Sequence, residues 1–155
     1  MTIEKTKQIK KLTEELFEHL LLKGKVVVTE DKESAVFNIQ IETEESGFLI
    51  GYHGETLEAF QMILSLIVYK KLDEWLRLVV NVGDYRQKRE EQLRKLALNV
   101  AQKVKFSKQA QAITNLSAGE RRIVHLALAG DEQVMTESEG EGRDRKLVIK
   151  LKTSN

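Results

Sequence analysis

The sequence predicts an α+β protein built as two small domains, and three observations carry that expectation. Stretches with an apolar residue every three or four positions alternate with stretches in which apolar residues come every second position, the periods of helix and strand. The chain has 155 residues, 41% of them hydrophobic, which suits one globular domain or two small ones and leaves no room for a large enzyme. Charge is unevenly placed along it. Residues 1–84 hold 10 Lys and Arg against 15 Asp and Glu, a net of −5, whereas residues 85–155 hold 15 against 9, a net of +6. The expected division is a first domain over 1–84 and a second over 85–155, and the basic second half invites a polyanion.

Each element follows from its own pattern. Ile9, Leu12, Leu16 and Leu20 recur at spacings of three and four, with Phe17 and Leu21 widening the stripe, so residues 3–22 read as an amphipathic helix with Gly24 as its C-terminal cap. The β-branched run Val26-Val27-Val28 and the alternating Phe37, Ile39 and Ile41, separated by the polar turn 30–34, read as a strand pair. A short helical stretch, 45–50, leads into Gly51-Tyr52-His53-Gly54 and a longer helix over 55–71 whose core face is Leu57, Phe60, Leu64 and Ile67. The middle of that helix, residues 62–68, is apolar nearly all round, so either the first helix, through Leu16 and Leu20, covers its second side or another chain does. Residues 75–82 alternate as a third strand, with Trp75 read as a plug at its start.

In the second half, Leu93, Leu96, Ala97, Val100 and Val104 mark a helix over 84–106 whose core stripe, followed back by threes and fours, ends in Arg89 and Arg86. A short strand is expected over 110–116. Ser117-Ala118-Gly119-Glu120 has the spacing of a capping box and opens a helix to Ala129, closed by Gly130. Residues 133–137 and 146–151 read as two strands joined by the Gly-rich loop 138–145.

Several chemistries are excluded or unsupported. The absence of cysteine removes disulfides, Cys-based zinc sites and thiol nucleophiles. His19, His53 and His125 lie far apart with no second ligand at metal spacing, so no metal is expected. Neither a phosphate-binding G-x-x-x-x-G-K-[ST] loop nor a dinucleotide-binding glycine motif is present, so no cofactor and no enzyme activity are expected. The N-terminal residues lack the apolar block of a signal peptide and no apolar run reaches membrane-spanning length, so the expected location is the cytoplasm, without a membrane partner.

Two constellations carry chemistry. A tight Gly51-Tyr52-His53-Gly54 turn between helices lets backbone approach a sugar-phosphate chain, because glycine has no Cβ to hold it off, and the next helix points free N–H groups at phosphate. A plain helical turn can carry the same glycines. The order helix, strand, strand, short helix, G-x-x-G, long helix, strand resembles a type II KH domain, a single-stranded nucleic-acid binder with a three-stranded sheet and helices on one face. In Glu120-Arg121-Arg122-Ile123-Val124-His125, Arg121 and His125 are four apart and adjacent on one helix face, where a phosphate could meet both. With the tail Ser138-Glu139-Gly140-Glu141-Gly142-Arg143-Asp144-Arg145-Lys146-Leu147-Val148-Ile149, this segment resembles the small α+β R-3-H domain, named for an Arg and a His separated by three residues.

A KH domain followed by an R-3-H domain resembles the bacterial Jag family, also called KhpB or SpoIIIJ-associated protein, in a short form without the N-terminal Jag domain that members often carry. The resemblance implies an RNA-binding protein, an RNA chaperone or post-transcriptional regulator linked to cell elongation and division. Its implied partners are a KH-KH homodimer or a small single-KH protein. The chain departs from the family between the glycines, where basic residues are usual and Tyr52 and His53 stand, and before the Arg-x-x-x-His helix, where prolines are usual. The expected ligand is single-stranded nucleic acid, RNA ahead of single-stranded DNA. The expected contacts are Gly51, Tyr52, His53, Gly54, Arg86, Arg89, Arg121, Arg122, His125, Arg143 and Arg145. The competing expectation is an interaction module that binds RNA weakly.

Overall fold

The computed structural model describes residues 2–152, and the chain divides into two compact units, Met1–Arg86 and Gln87–Asn155. The first unit runs α1 (Thr2–His19), β1 (Lys25–Asp31), β2 (Val36–Glu42), α2 (Ser46–Ile50), a single 3-10 turn (Tyr52–Gly54), α3 (Glu55–Leu72) and β3 (Arg77–Val82). Its sheet has the order β1-β2-β3, with β1 antiparallel and β3 parallel to the central β2. Alternation sets its two faces. Val26, Phe37, Ile39, Ile41, Leu78, Val80 and Val82 point into one core with α1 and α3, while Asn38, Gln40 and Asn81 fall at the intervening positions. Burying a side chain such as Ile39, Ile41 or Leu64 contributes about 1.5–3 kcal/mol each.

Two sequence expectations in this unit are corrected. The helix α1 is closed by Leu21 and not by Gly24: Leu21 takes a left-handed φ of 57°, its N–H reaches Glu18 O at 3.0 Å, and Leu22 N–H reaches Phe17 O at 3.0 Å. A left-handed leucine costs roughly 1–2 kcal/mol. The apolar pair that accompanies this motif, buried Phe17 and Leu22, offsets the cost. Gly24 serves close approach, since a Cβ there would sit 2.8 Å from Glu42 O and 3.1 Å from the Phe17 ring. Trp75 is not a plug. It lies outside β3, 64% exposed, and stacks on Tyr69 with ring centroids 4.4 Å apart.

α3 buries Leu57, Phe60, Leu64 and Val68, and α1 meets it through an edge-on Phe17–Phe60 contact at 5.7 Å. That contact leaves one face of α3 open. Met62, Ile63 and Leu66 are 62%, 46% and 50% exposed, and Leu20 at the end of α1 is exposed as well.

The second unit is built from α4 (Tyr85–Ser107), β4 (Gln111–Ile113), α5 (Ala118–Leu128), β5 (Val134–Glu139) and β6 (Lys146–Leu151), the first two residues of α4 counting with the first unit. The sheet order is β4-β6-β5, antiparallel throughout. Leu93, Ala97, Ala101 and Val104 of α4 share a core with Val124 and Leu128 of α5 and with Ile113, Val134, Leu147 and Ile149 of the sheet. β4 has only three residues because the chain must turn at Asn115, which takes a left-handed φ of 57°, to reach the start of α5. Gly130 follows the helix without a left-handed φ, and α5 ends instead on tightened bonds, Ala129 N–H to Leu126 O and Asp131 N–H to Leu128 O.

Asp131 fastens that end. Its carboxylate accepts Lys105 Nζ at 2.6 Å and the N–H groups of Gln133 and Val134 at 2.9 and 3.2 Å. These partners, the Lys105 hydrogen bond first, hold its pKa below the usual 3.8. A depressed carboxylate contributes stability that is complete above its unfolded value and lost as pH falls through its folded one. Thermal midpoints followed by circular dichroism between pH 5 and pH 2 are therefore expected to show Asp131→Asn less stable than the parent at pH 5, with the gap closing below about pH 4.

Candidate nucleic-acid interface

The capping box that opens α5 is complete. Ser117 Oγ accepts Glu120 N–H at 3.2 Å, and Ser117 N–H donates to Glu120 Oε2 at 2.9 Å. Burial fixes which way the helix rolls. Val124 and Leu128 go into the core, and Ala118, Arg121, Arg122 and His125 turn toward β5 and the start of β6. Together with Thr136, Ser138, Arg145 and Leu147 they line an open cavity of about 500 Å³. Its charged lining is three arginines, with no carboxylate among the lining residues.

Two of these side chains are tied in place. Arg121 Nη1 donates to Leu116 O at 2.7 Å, which pins the guanidinium to the loop before α5. His125 Nδ1 shares a hydrogen bond with Thr136 Oγ1 at 2.5 Å, which sets the ring plane from the neighbouring strand. Arg122 and Arg145 are exposed, and Arg143 is exposed in the 3-10 turn Gly142–Asp144 and does not line the cavity. Sequence reasoning missed Thr136 and Ser138. The signal was available in the period of two from Val134, which places all three on the helix-facing side of β5.

Arg89 is paired with Glu120, Nε to Oε1 at 2.6 Å, with side chains 18% and 13% exposed. In the first unit Arg86 works on the free edge of β3. Val80 N–H donates to Gln61 Oε1 at 2.9 Å, Arg86 Nε donates to Val80 O at 2.7 Å, and Arg86 Nη2 donates to Gln61 Oε1 at 3.0 Å. The central backbone donor and acceptor of that edge are thus both occupied by the unit's own side chains. Desolvation lowers the Arg86 pKa from its ordinary value, with Glu58 and Tyr85 opposing the shift.

The G-x-x-G turn is closely packed on its inner side. Gly51, His53 and Gly54 have φ of 70°, 51° and 86°, values that favour glycine. A Cβ on Gly51 would fall on Thr56 Oγ1, and one on Gly54 would lie 2.7 Å from the Tyr85 hydroxyl. Gly51→Asp and Gly54→Asp would therefore strain the turn itself and would report on folding as well as on ligand contact. Tyr52 and His53 are exposed and stacked, with centroids 4.0 Å apart and planes 11° from parallel.

The fold and these two sites define a tandem of a type II KH domain and an R-3-H domain. The KhpA/KhpB KH-domain model matches residues 7–82 and the R-3-H domain model residues 91–151. The chain is 32% identical over 152 residues to the RNA-binding protein KhpB of Bacillus subtilis (strain 168), covering 97% of this chain and 72% of that protein. It is 34% identical over 142 residues to the RNA-binding protein KhpB of Clostridium symbiosum, covering 92% of this chain and 64% of that one. The chain belongs to the KhpB family. It spans about two thirds of the length of these relatives.

Proposed function

We propose that this chain binds single-stranded RNA and acts as a post-transcriptional regulator or RNA chaperone. The observation that carries the reading is the cavity on α5, where Arg121, Arg122, Arg145 and His125 converge with no opposing carboxylate in the lining. These side chains hold phosphates of one stretch of strand, Arg143 extends the contact from its exposed turn, and the G-x-x-G turn holds another stretch. Two weak sites on one chain raise overall affinity through effective concentration. Arg86 and Arg89 act one step back, holding the β3 edge and the α5 cap. The names of the KhpB relatives support RNA as the ligand, and a role in elongation and division is proposed on the family resemblance alone. Fluorescence anisotropy of a labelled single-stranded RNA across a salt series tests the reading. Phosphate contacts by the three cavity arginines and Arg143 are expected to give a log–log slope of about −3. Binding that is absent or indifferent to salt would overturn it, and a matched single-stranded DNA reports which strand is preferred.

A second reading concerns the open face of α3. Met62, Ile63 and Leu66 form an exposed apolar strip on an acidic unit, and we propose it as a KH-KH docking surface for a second copy or a small single-KH protein. Light scattering over a concentration series is expected to show the mass rising toward that of a dimer, with Met62→Lys/Leu66→Lys remaining monomeric. A parent that stays monomeric at the highest concentration removes the homodimer.

A further inference from the structure

Between Lys32 and Lys70 the chain has no Lys or Arg, while six glutamates, at 33, 42, 44, 45, 55 and 58, fall in that interval. Glu55 and Glu58 occupy the first turn of α3, immediately after the G-x-x-G turn. They take up the favourable field of the helix N-terminus that an incoming phosphate would otherwise use. Within this interval the turn is flanked by carboxylates alone, and the cation that faces Glu58, Arg86, is already tied to Val80 O and Gln61 Oε1. The residues the turn does present are two rings.

We infer that the Tyr52–His53 pair is a stacking platform for a nucleobase, so that the G-x-x-G turn of this chain grips a base where the α5 cavity grips phosphates; the inference rests on the single-stranded RNA reading above. The rings lie 4.0 Å apart and 11° from parallel, the separation and tilt of a stacked pair, and Tyr52 is 64% exposed. Two stacked rings in water have an open outer face, and a base offers the planar surface that continues the stack. The platform is already built. Thr56 packs against Gly51 and Tyr85 against Gly54, so the backbone that carries the rings is closely packed on its inner side without a ligand. The ordering cost of a flexible loop is thereby avoided on binding. Stacking is tolerant of base identity and independent of charge, so this contact adds affinity with little dependence on salt.

The test uses the full chain, a labelled single-stranded RNA of mixed sequence, and inorganic polyphosphate as a chain of similar charge without bases. Tyr52→Ala is expected to weaken RNA binding on the order of tenfold while leaving the log–log salt slope and polyphosphate binding unchanged. Tyr52→Phe, which keeps the ring, is expected to bind as the parent does. Parent-like RNA affinity in Tyr52→Ala, alongside clear weakening in Arg122→Ala/Arg145→Ala, would overturn the platform and leave the RNA reading standing. An equal drop in affinity toward RNA and polyphosphate would overturn stacking as the contact. If the parent fails to bind RNA at all, the RNA reading falls and the platform with it.

Discussion

Glu120→Ala is expected to cost the second unit about 3 kcal/mol, because one carboxylate serves two partners that cannot find another. Its Oε1 takes the mostly buried Arg89 guanidinium at 2.6 Å, and its Oε2 takes Ser117 N–H at 2.9 Å. Removing it leaves Arg89 short of its counter-charge in a half-dry site and opens one side of the cap on α5. For a unit of this size that loss corresponds to a fall of roughly 15 °C in thermal midpoint, readable by calorimetry. Arg89→Ala is expected to fall by a comparable amount, and Arg89→Met/Glu120→Leu by much less than the two single variants together, since it removes both charges and keeps volume. A midpoint within about 2 °C of the parent in Glu120→Ala would show that the pair contributes nothing measurable.

Arg122→Ala/Arg145→Ala is expected to lower affinity for single-stranded RNA about tenfold at 0.15 M salt and to flatten the log–log slope by roughly 1.4, at about 0.7 for each phosphate no longer neutralised. These two are cleaner probes than Arg121, whose bond to Leu116 O makes its removal a structural change as well. Both are exposed, so the thermal midpoint is expected to stay near that of the parent. Binding with unchanged slope would remove the cavity from the phosphate-binding surface.

Much of the architecture was legible because local pattern and burial agree. The alternation of Phe37, Ile39 and Ile41, the stripe of Leu93, Ala97 and Val104, with Val100 half-buried and Leu96, read as part of it, left exposed, and the Ser117–Glu120 spacing report on which face is dry or how an end is closed. Positions that depend on a distant neighbour were harder. Leu21 misleads for a local reason: glycine is the usual residue at a left-handed cap, and only the apolar pair Phe17 and Leu22 marks this helix end. The apolar run of α3 could not say which of its sides α1 would reach. At the candidate sites, Arg121 and His125 were readable as i, i+4 neighbours, whereas the commitments of Arg86 to Gln61 and of Arg89 to Glu120 span 25 and 31 residues and leave no local trace.

The occupied edge of β3 has a consequence for how the first unit comes into being. Gln61 precedes the strand and Arg86 follows it, so the donor and acceptor of Val80 are both occupied only once α3 has docked and the chain extends into the first turn of α4. A fragment that ends anywhere from Val82 to Tyr85 has every strand of its sheet and still offers an open Val80 carbonyl to any extended peptide nearby. A fragment meant to represent this unit alone therefore has to end beyond Arg86, and one cut at the last strand residue would owe its stickiness to a missing arginine and not to a fault in its core.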